Sequence, residues 1–168
     1  MVTGELSRNR LLQTIVLLYA TYVAGLWLTN ALLYFNKMSL SYASVVEYYL
    51  GNEDRFLPAR SYQGMLEVSH FHLFAMGMLL LVLTHLVLFV PIANRIKLAL
   101  IVTPFVSAAL DEGAGWAVRF VSPLFAWAKI AGFLLLQTSL GALVVISLWS
   151  VLRGTSANYR SGEGDEAG

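Results

Sequence analysis

The sequence predicts an all-α integral membrane protein, in which four spanning helices form an up-down bundle and a short interfacial helix lies on the outer membrane surface. Hydrophobic residues make up 58% of its 168 residues and charged residues only 12%. A soluble domain of this length could not bury so much apolar surface in one core. The net charge of +1 gives no indication of nucleic acid binding. Because the sequence has no cysteine, it excludes disulfides, iron–sulfur clusters and thiolate metal sites within the chain.

Four apolar stretches are long enough to cross a bilayer, which takes about 20 helical residues. They are predicted at about 11–35, 65–90, 96–120 and 123–152. The first is longer than the apolar region of a secretory signal, about 7–15 residues, so we expect it to be retained as a span. The third is the weakest, because it holds Pro104 and meets the charged Asp111 and Glu112 early.

The segments between and after the spans have distinct compositions. Residues 41–50 are rich in tyrosine and are followed by Gly51, which predicts a short helix at the outer membrane interface. Residues 1–153 are therefore predicted to form one membrane domain. Residues 154–168 are rich in Gly, Ser and charge, which predicts a disordered cytoplasmic tail.

Basic residues predict the orientation of the spans. They occur before the first predicted span, between the second and third, and after the fourth: Arg8, Arg10, Arg95, Lys97, Arg153 and Arg160. Cytoplasmic segments of membrane proteins are enriched in Lys and Arg. We therefore expect a multi-pass protein of the bacterial inner membrane with both termini in the cytoplasm.

All three histidines of the sequence, His70, His72 and His85, lie on the second predicted span. Polar residues within a span are costly and mark function by default. At about 100° per residue, His70 and His85 differ by about 60° around the helix and about 22 Å along it. Glu67 shares their face, whereas His72 is turned by about 220° from His85.

This arrangement favours b-type haem. Neutral imidazole is a good axial ligand for haem iron, and Gly77, between the two histidines, would let a flat macrocycle approach the backbone. The helix resembles the ligand helices of membrane b-type cytochromes, which carry paired histidines about four turns apart. That resemblance implies axial ligation by His70, or alternatively His72, and by His85. The sequence is also similar to small uncharacterised bacterial membrane proteins with four spans.

The haem hypothesis requires opposing ligands from elsewhere, because no other predicted span contains histidine. Methionine could also serve as a ligand, with Met38 and Met65 near the outer surface and Met76 and Met78 on the same helix. A two-fold homodimer or a larger redox complex would supply the opposing ligands. We therefore predict a membrane electron-transfer subunit rather than a stand-alone enzyme. The competing hypothesis is a cofactor-free scaffold subunit that binds a larger complex by helix packing.

A second chemical hypothesis is a non-haem metal site. Glu67 and His70 are three residues apart, the spacing that carboxylate-bridged di-iron bundles use. Asp111 and Glu112 are predicted at the same membrane face, and His72 could join them after local distortion. Such a set could bind zinc, copper or iron.

A third hypothesis is a quinone site at the outer face, formed by His70 and Glu67 with three aromatic residues, Trp116, Phe120 and Trp127. Tryptophan at that depth is equally typical of an aromatic belt that anchors helices. A lysine inside the fourth predicted span, Lys129, could extend to the surface or contact Glu67 or a haem propionate.

Overall fold

The structure, a computed structural model, describes residues 10–162 of the chain. This part is helical apart from its connections, and its only β-type pairing is an isolated bridge between Asn52 and Leu57. Its five α-helices are α1 (Arg10–Lys37), α2 (Tyr42–Leu50), α3 (Tyr62–Val87), α4 (Asn94–Phe120) and α5 (Ala126–Gly162).

Four helices are long and apolar enough to span a membrane: α1, α3, α4 and the segment Pro123–Trp149 that includes most of α5. This confirms the predicted all-α bundle of four spans. The second span begins three residues before its predicted start, because the Ser61 side chain accepts a hydrogen bond from the Gly64 amide and caps α3. At the other end of the chain, α5 continues to Gly162. The disordered tail at 154–168 stays a prediction, and its residues 163–168 lie outside the described part of the chain.

The third predicted span, expected to be the weakest, is one continuous helix. Pro104 is buried inside α4, which continues to Phe120. Asp111 and Glu112 therefore lie within this helix, and each contacts a polar residue of a neighbouring helix. These partners explain how a spanning helix accommodates two adjacent carboxylates.

The central helix of the bundle is α5, which contacts each of the other long helices. Of its most apolar window, 56% is buried, against 22% in each of the other three spans. The Tyr34 ring stacks on Phe133, and Trp27 donates a hydrogen bond to the Gln137 carbonyl, so α1 and α5 are antiparallel. The start of α1 and the end of α5 therefore share one end of the bundle.

The opposite end is covered by residues 38–61, which we call the capping segment. Within it, α2 corresponds to the short helix predicted at 41–50, and it packs on α4 and α5 through the buried Val45 and Tyr49. Gly115 makes room for Tyr49, since a Cβ at position 115 would lie 2.6 Å from the Tyr49 hydroxyl. The capping segment and the helix ends beneath it form the capped end.

Candidate functional site: a polar cavity at the capped end

The predicted histidine face of α3 points away from the bundle. His70 and His85 are exposed, as are Phe74, Met78 and Leu81 between them. The packed face carries a different set: Met65, Ser69, Leu80, Leu83, Thr84 and Val87. The ring contacts of His70 and His85 are with Phe71 and Phe89 of the same segment.

His72 is also exposed, but it lies on the side of α3 that borders the two cavities described next. Its Nδ1 is 3.2 Å from the Val68 carbonyl oxygen. A carbonyl only accepts hydrogen bonds, so Nδ1 donates and Nε2 is left for other partners. Of the three histidines, His72 is the one that lines the interior cavities described next.

Two cavities meet inside the capped end. The larger, of about 690 Å³, is a partly open cavity lined by the capping segment and all four long helices. The smaller, of about 200 Å³, lies deeper between α3, α4 and their neighbours. Four polar residues line both cavities and form what we call the junction: Asn30, His72, Asp111 and Glu112.

A buried ion pair stands at the junction. Lys129 Nζ is 2.8 Å from Asp111 Oδ1 and also donates to the Asp111 carbonyl at 3.1 Å. Lys129 is only 7% exposed, so it points inward and pairs with a carboxylate that the sequence analysis had not matched to it. Gly132 permits this close approach of α4 and α5, because a Cβ there would lie 2.8 Å from the Asp111 amide nitrogen.

A second polar contact joins α3 to α4. The Ser69 hydroxyl donates to Glu112 Oε1, and Trp116 Nε1 donates to the Ser69 oxygen at 2.7 Å. The residues predicted to surround a quinone are only partly brought together. Glu67 lines the larger cavity, and Trp116 donates the hydrogen bond to Ser69. Trp127 packs on Tyr42, and His70 faces outward. Phe120 packs on Trp116.

Aromatic residues that the sequence analysis did not select form much of the cavity wall. The Tyr34 ring stacks on Phe133 with centroids 3.7 Å apart and planes 12° from parallel. The Tyr34 side chain is 6% exposed, and its hydroxyl has no hydrogen-bond partner in the described part of the chain. Burial raises the pKa of the Tyr49 phenol, so this second tyrosine stays a neutral hydroxyl.

The predicted metal ligands are not brought together. In residues 10–162, no three His, Asp or Glu side chains form a group that could hold a metal ion. The physical reason is helical geometry, since His70 and His72 differ by about 200° around α3. Of the predicted set, His72, Asp111 and Glu112 line both cavities without forming a ligand group, Glu67 lines the larger cavity, and His70 lies on the outward face.

The comparisons with known proteins agree with this architecture. The model of the Aq_1264_TM family, a transmembrane helical domain, matches residues 39–158. The matched range contains α3, α4, most of α5 and all of the capping segment except its first residue. It therefore contains most of the residues that line the cavities. No curated protein and no solved structure matches the chain. The chain therefore belongs to the Aq_1264_TM family of transmembrane helical domains.

Proposed function

We propose that this membrane domain binds a small amphipathic molecule of the quinone class, with the planar ring of the ligand in the larger cavity. Small-molecule sites have volumes of about 300–1,000 Å³ and combine apolar walls with a few polar groups. The larger cavity, of about 690 Å³, falls within that range. The observation that carries the proposal is Tyr34, a residue that lines this cavity and whose buried hydroxyl has no partner in the described residues.

Two features support a ring with hydrogen-bonding substituents. Buried polar groups are almost always hydrogen-bonded, so the unpartnered Tyr34 hydroxyl beside the cavity is suited to donate to a ligand carbonyl once its side chain turns towards the ligand. The stacked rings of Tyr34 and Phe133 offer flat aromatic surface beside it. His72 lines the same cavity and can contribute a second polar contact through Nε2.

Two matched tyrosine variants test the proposal. The full chain is reconstituted in lipid nanodiscs, and binding of decylubiquinone is followed by quenching of tryptophan fluorescence. Tyr34→Phe is expected to weaken binding by the value of one hydrogen bond, about 0.5–1.5 kcal/mol, without destabilising the protein. In the control Tyr19→Phe, the lost hydroxyl donates to the Leu79 carbonyl at 3.2 Å, so stability falls and affinity is retained.

Two outcomes would contradict the proposal. Absence of saturable binding by the unmodified protein would exclude a quinone-class ligand and favour the scaffold hypothesis. Equal affinity of the unmodified protein and Tyr34→Phe would show that the Tyr34 hydroxyl does not bind the ligand.

Haem binding and electron transfer stay predictions, and they concern a different surface. His70 and His85 lie on the outward face of α3, and neither lines the larger or the smaller cavity. One copy of the chain does not enclose a haem at these positions, so ligation requires a second copy or a redox partner. Reduced-minus-oxidised spectra of the detergent-purified protein test this: a b-type band that disappears in His85→Ala supports haem, and a colourless intact protein excludes it for this chain alone.

A further inference from the structure

On the basis of the proposed site, we infer that the ligand carries a hydrocarbon tail, which occupies the smaller cavity and leaves the bundle between α3 and α4 beside Gly77. The ligand is therefore a lipid-phase molecule with a polar ring and an apolar chain. The bond between its ring and its tail lies at the junction, the set of polar residues that line both cavities.

The lining of the smaller cavity changes sharply away from the junction. Beyond the four junction residues, all of its walls are apolar: Leu73, Met76, Gly77, Leu80, Phe105, Ala108, Ala109 and Leu136. Such walls offer no hydrogen bond to a polar substituent, which would lose its own partners on entry. An alkyl or isoprenoid chain has no such cost.

Gly77 differs from the glycines that the fold needs for close packing. At Gly115 and Gly132 an added Cβ would collide with Tyr49 or with the backbone of Asp111, whereas at Gly77 it would meet no atom within 4 Å. Glycine inside a helix costs about 1 kcal/mol relative to alanine. Gly25 and Gly113 also have free space beside the backbone, but of these three glycines only Gly77 lines the smaller cavity, where that space admits a ligand chain.

The smaller cavity lies where an opening between α3 and α4 would lead to the lipid chains. Leu73, Phe105 and Ala109, which line the smaller cavity, are exposed on the surface of the bundle. At about 1.5 Å per residue, Gly77 is about 22 Å from the start of α3 and about 15 Å from its end. This depth lies in the hydrocarbon region of a bilayer of about 30 Å, so the passage opens to lipid tails rather than to water.

Two probes and two matched leucine variants test the inference. The probes are decylubiquinone and the same ring without its decyl chain, each titrated against the full chain in nanodiscs. Gly77→Leu places a side chain in the smaller cavity and is expected to weaken binding of the tailed probe about tenfold or more, with less than about a twofold effect on the tailless ring. The control is Gly113→Leu on α4, where the position is exposed and an added Cβ also meets no atom within 4 Å.

The outcomes separate this inference from the proposed function. Selective loss of the tailed probe supports the tail passage, whereas equal loss of both probes, or loss of neither, overturns it while the ring site stands. Binding of neither probe by the unmodified protein overturns the proposed function and the inference together. If Gly77→Leu does not fold, Ala109→Phe at the exposed border of the passage replaces it, with the same tail-selective loss expected.

Discussion

The two halves of this bundle bury different kinds of side chains. The hydrophobic cluster of the far half, away from the capping segment, is built of buried aliphatic residues: Val23, Leu80, Leu83, Val87, Leu136, Leu140, Leu143 and Val144. The buried polar residues of this half are uncharged and include Thr84, Ser139 and Ser147. The core of the capped end mixes aromatic and aliphatic residues and surrounds the buried Lys129 and Ser69. The larger cavity lies at the capped end, and the smaller cavity extends from the junction to Leu80 and Leu136 at the edge of the far-half cluster. The buried charge and the larger cavity therefore belong to the capped end, whereas most of the far half is aliphatic packing.

The boundary between the halves is formed by one polar contact between α1 and α5. Asn30 donates to the Gln137 side chain at 3.3 Å, and Trp27 donates to the Gln137 carbonyl at 2.8 Å. Asn30 also belongs to the junction, whereas Gln137 does not line either cavity there. Interhelical hydrogen bonds of this kind hold spanning helices together in the absence of a hydrophobic driving force. The same contact thus fixes α1 against α5 and places a polar group at the cavity.

The largest expected effect comes from breaking the ion pair at the capped end. Lys129→Met keeps the side-chain volume but leaves the Asp111 carboxylate without the cation 2.8 Å away. Removing one partner of a buried pair costs about 3–5 kcal/mol, because the remaining charge is left uncompensated. We expect a loss of this size in the free energy of unfolding, measured by denaturant titration in mild detergent, together with weaker binding of decylubiquinone.

Two control variants sharpen that test. Replacing both partners, as Asp111→Leu with Lys129→Met, should recover most of the lost stability, since no buried charge then remains. Arg55→Ala removes the partner of Glu47 in the exposed capping-segment pair and should cost only about 0–1 kcal/mol. A Lys129→Met protein as stable as Arg55→Ala would show that the pair at the junction is not desolvated.

The sequence was sufficient for the fold but only in part for the site. Apolar stretches of spanning length are a one-dimensional signal, so all four spans were predictable. The azimuth of His72 also followed from helical geometry. The pairing of Asp111 with Lys129 depends on how α4 and α5 pack, which no local pattern encodes. Asn30 could have been found, because it is a polar residue inside the first predicted span.

The sequence predicts which residues of α3 share a face, but not the direction in which that face points. His70 and His85 share a face, as predicted, yet the packed stripe of α3 is set by the aliphatic residues opposite them. Periodicity gives the angle between two side chains on one helix. It does not tell which face of the helix contacts the neighbouring helices when the whole helix is apolar. Every face of such a helix can contact either lipid or the interior of the bundle.

A smaller effect is expected from the far half, where Leu143 is fully buried on α5. Leu→Ala substitutions in soluble cores cost about 2–5 kcal/mol, a sum of lost transfer free energy and of the cavity left behind. In a membrane, lipid chains solvate an unpacked leucine as well as the core does, so mainly the packing contribution is lost. We therefore expect Leu143→Ala to cost about 1–2 kcal/mol in the same unfolding titration.

The binding measurement makes this last variant decisive for the comparison of the two halves. Leu143 does not line the larger or the smaller cavity, so Leu143→Ala should bind decylubiquinone with the affinity of the unmodified protein. Val145→Ala, which trims an exposed residue two positions away, should change stability by no more than about 0.5 kcal/mol. If Leu143→Ala weakened binding as strongly as Lys129→Met, a residue that lines neither cavity would control the affinity, and the division into packing and binding residues would be wrong.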